Sequence, residues 1–579
     1  MNEAAQTLAV AAPGSQPRKV RRFTADVSAT GEPWLWALGC ALALGTTLIV
    51  GFMVMIFWNG VATFWPSRIE VVTLVDRKLV AGEPTRSEKY RPGPELLAKL
   101  TPSQRAEIER NDGYALRTLY RIGNYDLYNE DFRWVSDFEV ANVASPKTFF
   151  FFERQEWGPF VGTIDRVIVD GAARPVADFT LDQLYALQKE ARQRFLEVRR
   201  IERVEIGRVN HHMEAARLGA RRAELDYGAD DPRLATVKQA VATEMAALKR
   251  RYDEFAAAAA AIKARDEKVQ VVLKEVEGKE KRLPLSQIVR LYPSNDLGWG
   301  DRAAIYLSRW GEFLADEPRE ANTEGGILPA IFGTVTMTLL MVFVVAPFGV
   351  VTALYLREYA KQGRLVAIVR ISVNNLAGVP SIVYGVFGVG FFAYTVGGGI
   401  DSLFFPERLP APTFGTGGIL WSALTLALLT VPVVIVASEE ALAAVPRSIR
   451  EGSLACGASK WQTIKRIVLA HAMPGVMTGL ILAMARGAGE VAPLMLVGVV
   501  KLAPELPVDE FFPFIHLERS FMHLGFHIYD VGFQSRNSEA GKPMVFVTTL
   551  LLLGLIVVMN SSAIYIRNRL KKKFVGSQF

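Results

Sequence analysis

The feature that most limits this chain is residues 34–58, about 25 residues that carry no charge. In hydrocarbon every backbone N–H and C=O must be paired within the protein, so such a segment has to be a helix. It is long enough to cross a bilayer. Basic residues precede it, as in a secretory leader. The run is too long for a leader's apolar core, however, and tryptophans stand at both ends as interfacial anchors do. It is read as a retained membrane span. Further apolar stretches come late in the chain, at 327–356, 376–396, 418–437, 474–500 and 544–566. Residues 365–375, with Arg370, Asn374 and Asn375, read as an interfacial helix leading into the third span. The expected fold class is an all-α polytopic membrane protein with about six transmembrane helices, interrupted by a long polar insert.

The insert occupies 59–326. Its first part, about 59–175, holds strand-like runs such as IEVVTLVDRKLV from Ile69 and KTFFFFERQEWGPFVGTIDRVIVD from Lys147. Its second part, about 180–282, is helical in period. Met245, Leu248, Tyr252, Phe255, Ala259 and Ile262 alternate steps of three and four, as a coiled-coil seam requires. YGADDP at 227–232 supplies a turn and a helix start. An antiparallel coiled-coil hairpin is expected, its arms reaching roughly 60–70 Å at 1.5 Å per residue. It serves either as a spacer or as a docking surface for another protein. His211 and His212 are adjacent, face different sides of a helix and make a poor chelating pair.

Charge placement gives the orientation. With 22% charged residues and a net charge of +7, the chain is not a uniform globule, and its basic residues cluster beside the spans. Arg18, Lys19, Arg21 and Arg22 precede the first span, within an expected cytoplasmic tail at 1–33. Arg357, Lys361 and Arg364 follow the second, 447–466 follows the fourth, and Arg567, Arg569 and 571–573 follow the sixth. All fall on one side if both termini are cytoplasmic, as the positive-inside rule demands. The insert is then outside the cytoplasm. This pattern argues for membrane lipid and against nucleic acid as a partner. Two cysteines, Cys40 and Cys456, with no CxxC pair, argue against a disulfide framework or a thiolate metal site.

Two stretches carry candidate chemistry. The first is the loop at about 439–470, in which a charged helical segment contains Gly457, the residue for a turn between two short helices. Its apolar Leu454, Trp461, Ile464 and Ile467 are available for burial. From the residues alone it is a connecting loop or something a partner holds. The second is the fifth span, with Arg486 and Glu490. Four residues apart, they are expected on one helical face and able to pair. Charges inside a membrane face protein or water. Gly487, Gly489 and Pro493 thin and bend the helix there. A guanidinium donates in a fork that suits an oxyanion. The pair either meets a passing anion, with Glu490 keeping the grip weak, or locks two helices as a structural ion pair. Ser381 stays a weaker candidate for the path. Asn560, Ser561 and Ser562 are expected to bond between helices. His516, His523 and His527 have spacing that permits a metal site, but a solvated loop surface is the favoured reading, and no metal ligand is assigned.

In the cytoplasmic loop Glu451, Gly452, Ser453, Gly457, Ile467 and Leu469 resemble the coupling-loop pattern of ABC importer permeases. Gly452 and Ser453 stand where the pattern has alanines, and Ala470 where it has proline. NTEGGILPAIFGTV (322–335), ALYLREYA (353–360), NNLAGVPSIVYGVFG (374–388) and LAMARGAGEVAPL (482–494) resemble the PstA-type permease of the phosphate-specific importer. The resemblance covers 320–579, and the insert is not part of the usual pattern. It implies an ABC importer permease fold, with five of the spans in a permease domain at 327–579. It also implies a coupling loop through Glu451, Gly457, Ala458 and Ile467, and a substrate path through Arg486 and Glu490. The implied function is inward movement of inorganic phosphate by alternating access in a bacterial inner membrane. The implied partners are a PstC-like permease, a PstB-like ATPase dimer and an outer phosphate-binding protein. No Walker A loop occurs, so ATP and magnesium belong to the partner ATPase; this chain is not expected to be an enzyme or to hold a cofactor of its own. A permease for sulfate or molybdate stays open, as does a membrane-tethered scaffold or sensor acting through the outer hairpin.

Overall fold

A computed structural model describes residues 33–575 except 229, 504, 536 and 537; the expected tail at 1–32 lies outside the described residues. The chain divides into two units, Met1–Met55 and Ile56–Phe579. The first unit contributes most of the helix Pro33–Ala62, whose residues are apolar all round. All else below belongs to the second.

Among the described residues six helices are long and apolar enough to cross a membrane: Trp36–Ala62, Leu328–Tyr359, Ser381–Phe404, Ile419–Ala443, Lys460–Gly489 and Ser538–Lys572. The second, fourth and fifth pack through small residues. Gly349 lies against Val434, Gly475 against Ala441, Gly479 against Ala437 and Gly487 against Met341. Such close backbone approach is how helices associate in lipid, where burial of apolar surface gives no drive. The core of these helices includes Met337, Met341, Leu426, Val434, Val476 and Leu480.

Two spans differ from expectation. The third begins at Ser381 rather than 376, because Pro380 ends the preceding helix Arg364–Leu376. The Tyr384 hydroxyl then donates to the Leu376 carbonyl at 2.5 Å and staples the break. The fifth begins at Lys460, well before 474, with Pro474 inside it. It stops at Gly489, and a second helix, Ala492–Val497, completes the crossing. Ser562 donates to the Val558 carbonyl of its own helix, so the interhelical bond expected there is not made by it.

The bulk of the insert is two large antiparallel sheets and a helical pair; near its end Pro318–Arg319 also pairs with Glu324–Gly325. β1 (Glu70–Leu74), β2 (Leu79–Tyr90), β3 (Ala115–Arg121), β4 (Phe132–Ser136) and β5 (Val140–Ala144) form a sheet in the order β4-β3-β2-β1-β5. The other sheet has β6 (Phe150–Arg154), β7 (Phe160–Val169), β8 (Ala172–Pro175), β9 (Val269–Lys274), β10 (Glu280–Pro284) and β11 (Ile288–Tyr292). Its order is β10-β9-β7-β6-β11, with β8 also on β7. Asp170 (φ 51°) and Gly171 (φ 82°) make the tight turn between β7 and β8 that two left-handed residues allow.

The helices leave between β8 and β9. The first arm, Leu181–Arg200 continued to Tyr227, starts on a Thr180/Gln183 capping box. Gly228 (φ 80°) turns the chain, and Asp231 with Pro232 starts the second arm, Pro232–Asp266. Ion pairs Lys238–Glu224, Lys263–Glu202 and Arg194–Asp266 show the arms antiparallel. Leu248 and Ala259 are buried and Met245, Tyr252, Phe255 and Ile262 half-buried, so the stepped residues do face inward. The second arm is shorter than its periodicity predicts. Residues 269–274 and 280–284 are strands, because the β-branched run VQVVLK pairs with β7. The strand-bearing part of the insert is therefore not confined to 59–175.

Candidate functional site

The fifth span is broken where its charges are. Arg486 stands in the last turn of the long helix. Glu490 lies just past the helix end with φ −78° and ψ 135°, so the two do not share a helical face as the spacing suggested. They still approach, Nε to Oε1, at 3.5 Å. The Arg486 side chain is 36% exposed and Glu490 22%, so neither is buried. Among the described residues Arg486 makes no other ion pair. Depth follows from packing. Gly487 touches Met341, which lies midway along the helix Leu328–Leu354. The backbone beside Arg486 is thus level with the middle of that helix. Gly385, four residues into the third span, lies against the backbone of Pro493. Two of the stretches that carry the family resemblance, 374–388 and 482–494, therefore meet at the break. A discontinuous helix with a charge at its broken end is a recurrent way of building an ion site in a membrane. Ser381 opens the third span at the same break and is half-buried.

On the loop side, Arg447–Ala455 and the helix from Lys460 are joined at Gly457, which has φ 83°. Ser459 and Gln462 cap the second helix reciprocally. Glu451, Gly452, Leu454 and Gly457 are exposed, as is Trp461, so the apolar Leu454 and Trp461 lie open on the surface. Ile464 is buried, while Ala458 and Ile467 are half-buried. The sequence reading passed over what fixes this ridge to the spans. Arg450 donates to the Leu442 carbonyl at 2.6 Å and pairs with Glu358 at 3.0 Å, joining the first loop helix to the ends of the second and fourth spans. Ser453 and Thr463 share a buried hydroxyl bond at 2.9 Å. Glu358 lies in ALYLREYA, and a carboxylate in an otherwise basic loop was the available signal. Arg370, on the helix Arg364–Leu376, sits 3.4 Å from Glu439 of the fourth span.

The outer-loop histidines are not solvated as expected. His516 is 6% exposed, His523 0% and His527 3%. His516 lies between Asp509 and Glu518, at 2.8 and 3.1 Å. Burial drives His523 down to about 3 and His527 to about 4, so both are neutral at ordinary pH. No group of three or more metal-ligating side chains occurs among the described residues. The same loop receives the first arm of the insert. Arg208 pairs with Glu510, and the His211 ring stacks on Phe511 at 3.7 Å.

Residues 346–572 match the family model described as the binding-protein-dependent transport system inner membrane component. The phosphate transport system permease protein PstA 1 of Mycobacterium tuberculosis (strain CDC 1551 / Oshkosh) is 40% identical over 202 residues, 35% of this chain and 60% of that protein. The probable ABC transporter permease protein YqgH of Bacillus subtilis (strain 168) is 33% identical over 204 residues, 34% of this chain and 62% of that protein. The chain thus spans about three fifths of the length of these relatives. An inward-facing structure of the MetNI methionine ABC transporter aligns with 42% of this chain and 94% of its own, at 18% identity and TM-score 0.31.

Proposed function

We propose that this chain, whose residues 346–572 belong to the binding-protein-dependent transport inner membrane component family and whose permease half is of the PstA type, moves inorganic phosphate into the cytoplasm. In this reading it lies in a bacterial inner membrane with both termini inside and the insert on the periplasmic side. It shares the pore with a PstC-like permease. A PstB-like ATPase dimer and a phosphate-binding protein complete the importer.

The observation that carries the reading is Arg486, at a helix break level with the middle of the second span, half-open and met by one carboxylate at 3.5 Å. A phosphate oxygen accepts from the guanidinium, and Glu490 draws part of that charge, so binding stays weak enough for release. The exposed ridge around Glu451 docks on the ATPase. Arg450 carries its motion to the second and fourth spans, whose movement opens the path to one side and then the other. ATP is hydrolysed in the partner. The buried steps of the second arm act as a coiled-coil seam that stiffens the outer hairpin.

The test is uptake of radiolabelled phosphate by cells supplying the other subunits. Phosphate should enter and excess sulfate should not compete. Competition by sulfate or molybdate would reassign the anion, and no uptake of any oxyanion would leave the scaffold reading in its place.

Gly457 gives a separate check on the coupling ridge. Nothing lies within 4 Å of a Cβ built there, so its requirement is the φ of 83° alone. An L-residue in that region costs roughly 1–2 kcal/mol, and more when β-branched. Gly457→Val is expected to reduce ATPase co-purification with the membrane subunits without lowering the amount of inserted chain.

A further inference from the structure

The helix Trp299–Ala315, which joins the insert to the second span, is turned inside out for a helix in water. Its charges beyond the first turn point into the protein. Arg302 donates to the carbonyls of Pro66 and Ser294 at 2.7 and 3.0 Å. Arg309 donates to Glu153 at 2.7 Å and to the Phe64 carbonyl at 3.0 Å, and Glu312 pairs with Arg290 and Arg319 at 3.1 and 2.7 Å. The outward face is Trp299, Ala304, Leu307, Gly311, Leu314 and Ala315. Trp299 is 82% exposed and Leu307 67%. The only polar side chains exposed on this helix are Asp301, in the first turn, and Ser308. Ala304, Leu307, Gly311 and Leu314 recur at steps of three and four, one apolar stripe along the helix.

Both ends of the helix are tied to places where the chain leaves or enters a span. The Tyr306 hydroxyl donates to the carbonyl of Val61, in the last turn of the first span. Trp65 packs on Trp299 and Tyr306, with ring centroids 5.5 and 5.7 Å apart, and Phe64 packs on Trp310 and Phe313. At the other end the Ile327 N–H donates to the Phe313 carbonyl at 2.8 Å, and the Leu328 N–H to the Asp316 carbonyl at 3.2 Å. Leu328 is the first residue of the second span. The helix therefore lies beside the residues that end the first span and those that begin the second, with aromatic side chains around its outer end.

We propose that this face is covered by phospholipid: the helix lies in the interfacial layer of the leaflet from which the first and second spans emerge. Leu307 and Leu314 reach the acyl boundary and Trp299 stays at the headgroups. An exposed apolar stripe of this kind costs free energy in water and gains it at that boundary, where tryptophan is also favoured. The usual arrangement has the polar face of an interfacial helix in water. Here that face is satisfied by ion pairs to the insert, so the bilayer surface and the insert hold one helix from opposite sides.

A photoreactive benzoylphenylalanine placed at Leu307 of the full chain, in the assembled importer in native membranes, reads the neighbour directly. The expected result is an adduct with the mass of a phospholipid, with the same at Leu314 and none at the exposed Arg174 of β8. A cross-link from 307 and 314 to another polypeptide would overturn the proposal in favour of a protein partner. Labelling no greater than at 174 would overturn it in favour of water. Leu307 is largely exposed, so the replacement disturbs no packing, and Leu314 is an independent position if one variant fails to insert.

Discussion

Arg486→Gln is expected to lower phosphate uptake by about tenfold to a hundredfold while the chain stays in the membrane. That range corresponds to losing a charge-assisted hydrogen bond worth roughly 1.5–3 kcal/mol. Two measurements are needed, uptake per cell and the amount of inserted chain. Because Arg486 is 36% exposed and its one ion pair is long, removing the charge leaves no buried partner stranded. A structural role predicts the opposite pattern, with less inserted chain and unchanged transport per molecule. Arg486→Lys should recover part of the rate, since it restores a point charge without the fork. Glu490→Gln should act differently. With the carboxylate gone the guanidinium grips the anion more firmly, so the apparent KM falls together with the maximal rate. A Glu490→Gln variant with both constants unchanged would remove Glu490 from the path.

The second large effect lies at the root of the insert. Glu153 on β6 is 8% exposed and pairs with Arg290 and Arg309, while Arg309 also donates to the Tyr292 hydroxyl at 2.6 Å. Removing the carboxylate leaves Arg309 without its ion-pair partner, at up to about 3–5 kcal/mol, while Arg290 keeps Glu312. Glu153→Gln is expected to open the insert to protease at temperatures where the wild type resists, measured as the rate of cleavage within 70–292.

The pH dependence has a definite sign. Burial opposes the charge on Glu153, but Arg309, Arg290 and Arg319 overcome it and hold the carboxyl at about 2, against an ordinary 4.5. A depressed carboxyl stabilises the fold above its unfolded value, and that contribution is lost as pH falls through the folded one. The gap between wild type and Glu153→Gln should be full above about pH 4.5 and close toward pH 2. Half-buried Glu83 and Glu324 are raised by desolvation and pull the other way. Comparing the variants removes what those two carboxyls contribute independently of Glu153, whose charge also helps to raise both.

The spans were legible because hydrocarbon leaves the backbone no alternative. Uncharged runs of that length give the number of such helices among the described residues. Breaks were less legible. Pro380 announces itself, but the end of a helix at Gly489 depends on Gly385 and Pro493 meeting from different spans. The Arg486–Glu490 spacing therefore suggested a helical face that does not exist. The second arm was overrun for a related reason. A period of three and four continues plausibly into 269–276, and only the pairing with β7 across a hundred residues of sequence makes those residues a strand. The inverted helix at 299–315 was beyond reach of periodicity. A pattern shows two faces, and which one points inward is decided by Glu153, Arg290 and Arg319 arriving from elsewhere. The buried histidines were misread because a polar loop following a span need not lie on the surface.

The hairpin leaves one sheet and returns to it, between β8 and β9, which flank the same strand β7. Sheet spacing puts those two neighbours about 10 Å apart. The base of the pair belongs to that sheet, since Leu184 and Ala191 are buried in its core. In chain-topology terms only the outer turns, between about 202 and 263, are a removable appendix, because shortening both arms together breaks no ladder. A lineage can therefore lengthen or trim those turns while keeping the sheet beneath them intact.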